Sequence, residues 1–297
     1  MTLWRITQAV LNGLLSGGVY ALIGVGITII FGVMKMVNFA AGAYLVWGMY
    51  FTYLFNVITG LNAYALIPIV IVCMALFGFV TFKLSINKVI KVGGTSFILI
   101  TVGLSFFLQN LAETIFGTQP LTVPSSLQQA SLRVGSIANL PVVLSVPRLI
   151  AFGVMLVLVI GVNILLNKTI LGRSMRATAE KPEVATMLGI NTQRTYTVAF
   201  ILGVAFAGLS GCIITPMYYV QASVGDIFRT APLMVVVMGG MGNIKGALVA
   251  GLLVGIVEQV VSTMISADLG TVGICLLFLI ILYIKPYGLF GKGERAA

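Results

Sequence analysis

The sequence contains no histidine and little charge: only 8% of its 297 residues are Asp, Glu, Lys or Arg. Without histidine, the chain lacks the residue most often used as a catalytic base, proton relay or metal ligand. Its three cysteines, Cys73, Cys212 and Cys275, stand alone in apolar runs, without metal-ligand spacing or an evident disulfide partner. We therefore expect no metal site, and we interpret the cysteines as small apolar packing residues.

The sequence also lacks the phosphate-binding loop of an ATPase. The pattern Gly-x-x-x-x-Gly-Lys-Ser/Thr does not occur, and Gly291-Lys292-Gly293 has the wrong spacing. The seven acidic residues are scattered, so we find no candidate catalytic pair and expect no catalytic residue or intramembrane enzyme. The chain itself is predicted neither to hydrolyse ATP nor to hold a cofactor.

Apolar residues dominate what is present: 59% of the chain is hydrophobic, and its mean hydropathy is +1.12. A soluble domain of this length carries more charge, so the composition predicts an all-α, polytopic membrane protein forming one transmembrane domain over residues 1–297. Helices are favoured because every backbone group in lipid must be satisfied within its own segment. The net charge of +10 is spread over the loops, so we expect membrane lipid as a partner and no nucleic acid.

Eight long apolar runs and one half-length run follow one another along the chain. The long runs cover approximately residues 9–33, 38–55, 63–82, 95–116, 148–166, 195–216, 246–264 and 271–283. The half-length run, 231–238, is interrupted by Gly239-Gly240-Met241-Gly242-Asn243. A broken helix at membrane depth is tolerated only when it is buried in protein or lines a polar pathway. Gly239, Gly240 and Gly242 are therefore expected to permit a hairpin and are candidates to border a pathway.

Charge in the loops predicts the orientation. Residues 117–146 form the longest non-apolar stretch, with strand-like composition near 140–146, and we interpret it as an external loop. With the N-terminus outside and the C-terminus in the cytoplasm, thirteen of the seventeen basic residues face the cytoplasm. They are Lys35, Lys83, Lys88, Lys91, Lys168, Arg173, Arg176, Lys181, Arg194, Lys245, Lys285, Lys292 and Arg295; only Arg5, Arg133, Arg148 and Arg229 face out.

The polar stretch 168–194 separates two apolar runs and is predicted to lie in the cytoplasm. Lys181 suits an N-cap position, and Pro182 suits the first turn of a helix. Glu183 favours the positive end of that helix, and Gly189 can adopt the positive φ that ends it. The result is a short amphipathic helix, which either lies on anionic lipid or docks on a partner protein. The arginines of this stretch, Arg173, Arg176 and Arg194, are mostly expected to anchor it at the membrane surface.

A few polar residues inside apolar runs are candidates for function. Glu258 is costly to bury, so it lines a pathway, locks helices together or pairs with a polar neighbour. Asn38 is either an N-cap residue or a pathway contact. Gln109 and Asn110 are expected to make hydrogen bonds between helices.

Short motifs recur in a fixed order from the first span to the last segment. They are Asn12-Gly13, Tyr20-Ala21-Leu22, Phe31-Gly32, Asn38-Phe39-Ala40, Leu188-Gly189-Ile190-Asn191, Gly239-Gly240-x-Gly242-x-Ile244-x-Gly246, the run 251–258 and Pro286-x-Gly288-Leu289-Phe290-Gly291. In addition, Glu183, Ala185 and Gly189 fit the pattern Glu-Ala-Ala-x-x-x-Gly, with Val184 replacing the first Ala. Together these motifs resemble the branched-chain amino acid permeases of ABC importers, of the Liv type and its H subunit in particular.

The resemblance implies a type II ABC importer-like architecture in a bacterial inner membrane. It also implies four kinds of partner: a second, homologous permease, two cytoplasmic ATPases that bind ATP and Mg²⁺, and an external substrate-binding protein. The short helix would then be the coupling helix that docks on an ATPase. The residues expected at that contact are Glu180, Pro182, Glu183, Ala185, Leu188, Gly189, Ile190 and Asn191.

The substrate implied is a branched-chain or other small neutral amino acid. Ala41 stands where the family often has His after Asn-Phe-Ala, so the substrate or its gating is expected to differ there if this position lines the pathway. Rival interpretations are a permease for an amide or urea and an ion-coupled carrier. The carrier would need paired acidic residues or histidines at mid-membrane, where only Glu258 is available.

Overall fold

The computed structural model describes residues 2–90, 95–124, 130–137 and 140–291. These residues form a helical bundle and a two-stranded β-hairpin. The helices are α1 (Thr2–Met34), α2 (Ala41–Thr59), α3 (Ile67–Thr81), α4 (Asn87–Val89), α5 (Thr95–Phe116), α6 (Val146–Lys168), α7 (Ile170–Glu180), α8 (Pro182–Met187), α9 (Thr192–Ile214), α10 (Val224–Gly239), α11 (Ile244–Met264) and α12 (Gly270–Ile284). Short 3₁₀ turns precede α3 and α12, and a π-helical turn, Phe82–Ile86, joins α3 to α4.

Eight helical stretches of the described chain are long and apolar enough to cross a membrane. They correspond to the eight predicted spans, which confirms the all-α polytopic class. When α10 is counted with these eight spans, successive membrane segments alternate in direction, and the polar stretches of the described chain fall at the two ends of the bundle. We name these ends by what they carry. The basic end holds the end of α1, α7, α8, residues 240–243 and residues 285–291; the hairpin end holds residues 60–62, 117–124 and the β-hairpin.

The centre of the bundle is α1, which packs against α11 through glycines. A Cβ on Gly17 would lie 2.8 Å from the carbonyl oxygen of Gly251, and Gly255 packs directly against the backbone of Gly17. Small residues at such a contact let two helix backbones approach closely in a membrane. The two small-residue patterns Gly13-xxx-Gly17 and Gly251-xxx-Gly255 are therefore two sides of one contact.

The half-length segment differs from its prediction. Helix α10 begins at Val224 rather than near residue 231, and it spans 16 residues with Pro232 inside it. The hydropathy of residues 224–230 is lowered by Asp226, Arg229 and Thr230, which hid this part of the helix. Tertiary packing stabilises it, because Val224, Gly225 and Phe228 are buried.

The stretch predicted as the loop 117–146 contains a two-stranded antiparallel hairpin, β1 (Ser131–Ile137) and β2 (Leu140–Ser145). The side chain of Gln8 in α1 both donates to the carbonyl of Val143 and accepts from its N–H at 3.1 Å, which fixes the hairpin to the first helix. The hairpin end also includes a single bridge between Leu121 and Val220. The strand-like composition near 140–146 thus corresponds to β2.

Candidate functional site

The polar stretch 168–194 folds into two helices, α7 and α8, rather than one. Thr169 caps α7 by accepting a hydrogen bond from the N–H of Gly172 at 3.1 Å. Lys181 is extended and occupies the N-cap position of α8, with Pro182 in its first turn, as predicted. Asn191 caps α9, because its Oδ1 accepts from the N–H of Arg194 at 2.9 Å. Side chains therefore cap α7 and α9, and the extended Lys181 separates α7 from α8.

Gly189 ends α8 in the way the sequence indicated. Its φ is +83°, its N–H donates to the carbonyl of Thr186, and the N–H of Ile190 donates to the carbonyl of Ala185, both at 3.0 Å. These two bonds form a Schellman motif, which satisfies carbonyls that the helix end would leave free. The short helix α8 is thus closed at both ends by the residue types its sequence predicted.

Most of α8 points away from the rest of the protein. Ala185 is buried and anchors the helix, whereas Met187 is 85% and Leu188 75% exposed, with Val184 exposed beside them. We call these three exposed apolar side chains the α8 knob. Glu180, Pro182, Glu183, Gly189 and Asn191 are also exposed, so most of the predicted contact residues are accessible, whereas Ala185 is buried and Ile190 is partly buried. An apolar projection on a polar end of a protein is typical of a docking site for another protein.

A large open cavity of 1130 Å³ lies behind the knob at the basic end. Val184 and Leu188 line one side of it, and the end of α1 lines another through Phe31 and Lys35. The remaining walls come from the end of α10 and from the C-terminal segment. The knob therefore faces the broken helix across an open space.

The break after α10 is built from two glycines with positive φ, Gly240 at +96° and Gly242 at +88°. The C-terminal segment closes this break. The N–H groups of Leu289 and Phe290 donate to the carbonyls of Met238 at 2.7 Å and Gly239 at 3.2 Å. Residues 286–291, which we call the C-terminal strap, thereby occupy carbonyls that the end of α10 leaves unpaired.

Asn243 connects the strap to the next helix. Its Oδ1 accepts from the N–H of Gly246 at 3.2 Å, which caps α11, and its Nδ2 donates to the carbonyl of Phe290 at 3.1 Å. The predicted turn at Gly239, Gly240 and Gly242 is present, and it joins α10 to α11 in a helical hairpin at the basic end. Of the three glycines, Gly242 lines a cavity of 510 Å³ at the basic end, and Gly239 and Gly240 are buried against the chain itself.

The structure places Asn38 and Ala41 in the core, between α1 and α2. Asn38 is not the N-cap residue of α2; Ala40 holds that position. The Oδ1 of Asn38 accepts from the N–H of Ala40 at 3.0 Å, a local turn that orders the entry to the helix and explains the burial of Asn38. The assignment of Asn38 and Ala41 to the pathway stays a prediction.

Glu258 forms a hydrogen bond between helices and also faces a cavity. The hydroxyl of Tyr20 on α1 donates to its Oε1 at 3.0 Å. Side chains on a helix tilt toward its N-terminus. Because α1 and α11 are antiparallel, the side chains of Tyr20 and Glu258 tilt toward one another. Glu258 lies six residues before the end of α11 at Met264, about 9 Å along the helix. It borders a cavity of 330 Å³ toward the hairpin end.

Two charged residues of α10 had not been recognised as functional candidates. Asp226 and Arg229 form an ion pair at 3.3 Å, and Gln109 of α5 donates to the Asp226 carboxylate at 3.3 Å. The Arg229 guanidinium lies 6.0 Å from the ring centre of Phe106. The sequence signal for this pair is the three-residue spacing of Asp226 and Arg229. Hydropathy places the start of the helix near residue 231, after both residues, so this spacing alone did not identify them.

This cluster lies between α5 and the first two turns of α10, on a partly open face. Phe106 and Gln109 are in the middle third of α5, and the side chains of Asp226 and Arg229 are 48% and 34% exposed. The predicted helix–helix hydrogen bond of Gln109 is confirmed, whereas Asn110 bonds to the carbonyl of Phe106 in its own helix. Charges facing lipid are costly, so this α5–α10 face is suited to contact with protein or water.

A multi-span helical bundle that carries a broken helix, polar groups at membrane depth and an exposed docking knob has the features of a membrane permease. The chain belongs to the family described as the permease component of branched-chain amino acid transport systems, which matches residues 9–284. The resemblance indicated by the sequence motifs is thereby confirmed, and the multi-span family implies an inner-membrane location.

Individual relatives resemble the chain over nearly its full length. LivH of Escherichia coli (strain K12), named a high-affinity branched-chain amino acid transport system permease protein, is 27% identical over 297 residues, 97% of this chain and 96% of LivH. BraD of Pseudomonas aeruginosa, with the same description, is 27% identical over 98% of both chains. A probable branched-chain amino acid transport permease protein of Methanocaldococcus jannaschii is 28% identical over 91% of this chain and 88% of its own. No solved structure matches the chain.

Proposed function

We propose that this chain is the permease subunit of an ABC importer and carries branched-chain amino acids across the inner membrane. Family membership supports the class of transporter. The names of the relatives support the substrate, since they describe branched-chain amino acid permeases. The exposed α8 knob is the structural observation that carries the mechanism, because it offers a separate motor subunit a place to push.

In this proposal the basic end faces the cytoplasm and the hairpin end faces outside. Lys35, Lys168, Arg173, Arg176 and Lys245 lie at or beside the basic end, in agreement with the positive-inside rule. Two cytoplasmic ATPases, which bind ATP and Mg²⁺, dock on the knob of this permease and on that of a second, homologous one. An external binding protein delivers substrate at the hairpin end.

The knob is suited to act as a lever. Ala185 anchors α8, which begins after the extended residue Lys181 and ends in the Schellman motif at Gly189, so a displacement imposed on Met187 and Leu188 would move the helix as a unit. The cavity of 1130 Å³ behind the knob leaves room for that movement toward the end of α10. ATP-driven closure of the motors would thus act on the broken helix that we propose borders the pathway.

We assign the α5–α10 face to the contact with the second permease and to the pathway between the two. Asp226, Arg229 and Gln109 would be costly to present to lipid, and a shared aqueous route gives them water or protein. A neutral or zwitterionic substrate is compatible with an ion pair whose two charges already balance. Glu258 pairs with Tyr20, which offers no support for the paired carboxylates that an ion-coupled carrier would need.

The test is uptake by the complete complex in proteoliposomes, with its ATPases and binding protein. We expect leucine, isoleucine and valine to accumulate only with ATP inside, and a protonophore to leave the uptake unchanged. Glu183→Arg should abolish uptake while the complex stays folded. Uptake that collapses with the proton gradient but survives without ATP would contradict the proposal, and transport of urea or amides in place of amino acids would contradict its substrate.

A further inference from the structure

The cavity of 330 Å³ toward the hairpin end has two opposite charges on its wall. Glu258 of α11 and Arg148, the third residue of α6, both line it. No ion pair joins these two side chains among the described residues, in which Asp226–Arg229 is the ion pair found. A carboxylate and a guanidinium therefore face one space without neutralising each other directly.

Tyr218 lines the same cavity as the two charges. Burial and the Glu258 carboxylate raise the pKa of its phenol, while the Arg148 guanidinium lowers it, so both charges act on this one hydroxyl. Its pKa stays above the ordinary value, and the phenol remains a neutral hydrogen-bond donor at physiological pH. Tyr20, already bonded to Glu258, sets the direction of that carboxylate from α1.

The rest of the wall is apolar on one side. Phe228 of α10 packs against Tyr20 at 6.0 Å and edge-on against Tyr218 at 5.4 Å between ring centres, and Val19 and Met217 continue this surface. A volume of 330 Å³ is at the small end of the range for ligand sites, which is about 300–1,000 Å³. The space therefore has an anionic point, a cationic point and an apolar wall.

We propose that this cavity binds a free α-amino acid as a zwitterion, with Glu258 accepting from its ammonium group, Arg148 donating to its carboxylate and Phe228 contacting its apolar side chain. The guanidinium presents donors in a planar fork that matches a carboxylate. The site would hold the substrate at the outer side, before the α5–α10 face is reached. This inference rests on the proposed function for its direction and adds a binding site to it.

The experiment is equilibrium binding of [³H]leucine to the complete complex in phosphatidylglycerol nanodiscs without the binding protein. We expect saturable binding by the wild type, and weakening by about tenfold or more in both Glu258→Gln and Arg148→Gln, because each loses a charge-assisted hydrogen bond. Asp268→Asn removes an exposed carboxylate near the end of α11 outside this cavity and should bind like the wild type. Tyr20→Phe keeps the Glu258 charge and should weaken binding less than Glu258→Gln.

Selectivity separates ligand contact from a purely structural role. 4-Methylpentanoate is leucine without its ammonium group, and the wild type should prefer leucine over it by about 100-fold. In Glu258→Gln this preference should fall about tenfold, whereas damage to the helix contact would weaken both ligands equally. Two results would assign Glu258 to helix packing and overturn the proposal. One is a preference for leucine over 4-methylpentanoate that is unchanged in Glu258→Gln; the other is a Tyr20→Phe variant with the same leucine affinity and the same preference as Glu258→Gln.

A phospholipid headgroup carries the same pair of charges, and the nanodisc lipid distinguishes it. If phosphatidylethanolamine in the nanodisc lowers leucine affinity tenfold, the cavity is a lipid site and the proposal is wrong. ATP-driven leucine uptake by the complete complex in proteoliposomes, with its ATPases and binding protein, tests the proposed function separately. Uptake by the wild type without specific binding at this cavity would refute only the site, whereas absence of uptake would refute the proposed function.

Discussion

The backbone N–H of Leu289 donates to the carbonyl of Met238 at 2.7 Å, which joins the C-terminal strap to the end of α10. Leu289 and Met238 are about fifty positions apart in the chain, separated by helices α11 and α12. The hydrogen bond brings the two ends of this segment together. The strap therefore holds the broken helix at the basic end, close to the α8 knob. The motif Pro286-x-Gly288-Leu289-Phe290-Gly291 is explained by this contact, since the strap must lie against the glycines of the break.

Asn243 gives a direct test of the strap. Asn243→Asp keeps the oxygen that caps α11 but loses the donor to Phe290, whereas Asn243→Ala loses both. We expect Asn243→Asp to increase hydrogen exchange of residues 286–291 with little change in α11. Asn243→Ala should also destabilise the protein by about 1 kcal/mol through the lost cap. Equal exchange in the strap of the wild type and both variants would contradict the assignment.

The contact between α1 and α11 should not tolerate a side chain. A Cβ at Gly17 would lie 2.8 Å from the carbonyl oxygen of Gly251, so Gly17→Val forces two helix backbones apart. We expect a loss of about 1–3 kcal/mol, seen as a lower melting temperature in detergent. Gly153 in α6 is the control, because a Cβ there meets nothing within 4 Å, and Gly153→Ala should melt no lower than the wild type.

The Asp226–Arg229 pair should show coupling between its two members. Arg229→Gln leaves the Asp226 carboxylate with Gln109 as its one partner among the described residues, and Asp226→Asn leaves the guanidinium unbalanced. We expect the double variant to be more stable than the sum of the single effects predicts, by on the order of 1 kcal/mol, because neither charge is then stranded. Strictly additive effects on the melting temperature would show that the pair is not coupled.

The knob should affect coupling without affecting folding. Leu188 is 75% exposed, so Leu188→Glu should leave the melting temperature unchanged while lowering ATP-driven uptake by about tenfold or more, as expected for an interface anchor. Ala185 is 2% exposed, so Ala185→Glu should instead destabilise the protein by burying a charge. If Leu188→Glu supported normal uptake, the knob would not be the docking point.

Local features of the sequence predicted much of this fold. Continuous apolar runs fixed the eight spans, and the Pro182 and Gly189 signals placed α8, because capping depends on neighbouring residues. The start of α10 was misplaced, since Val224, Gly225 and Phe228 are helical through contacts with distant segments. For the same reason, nothing in the sequence indicated that Tyr20 would meet Glu258, which is 238 positions away. Arg148 was likewise expected only as an external charge, and its place in the cavity depends on how α6 packs against α1.

The most direct test of the central claim is whether an ATPase covers the knob. Met187 is 85% exposed at the basic end and Tyr219 is 64% exposed near the hairpin end, so Met187→Cys and Tyr219→Cys report on opposite sides of the protein. In intact spheroplasts a membrane-impermeant maleimide should label Tyr219→Cys and leave Met187→Cys unlabelled. In purified protein, ATPase binding should protect Met187→Cys at least tenfold and leave Tyr219→Cys unaffected. Labelling of Met187→Cys from outside, or equal labelling with and without the ATPase, would contradict the account.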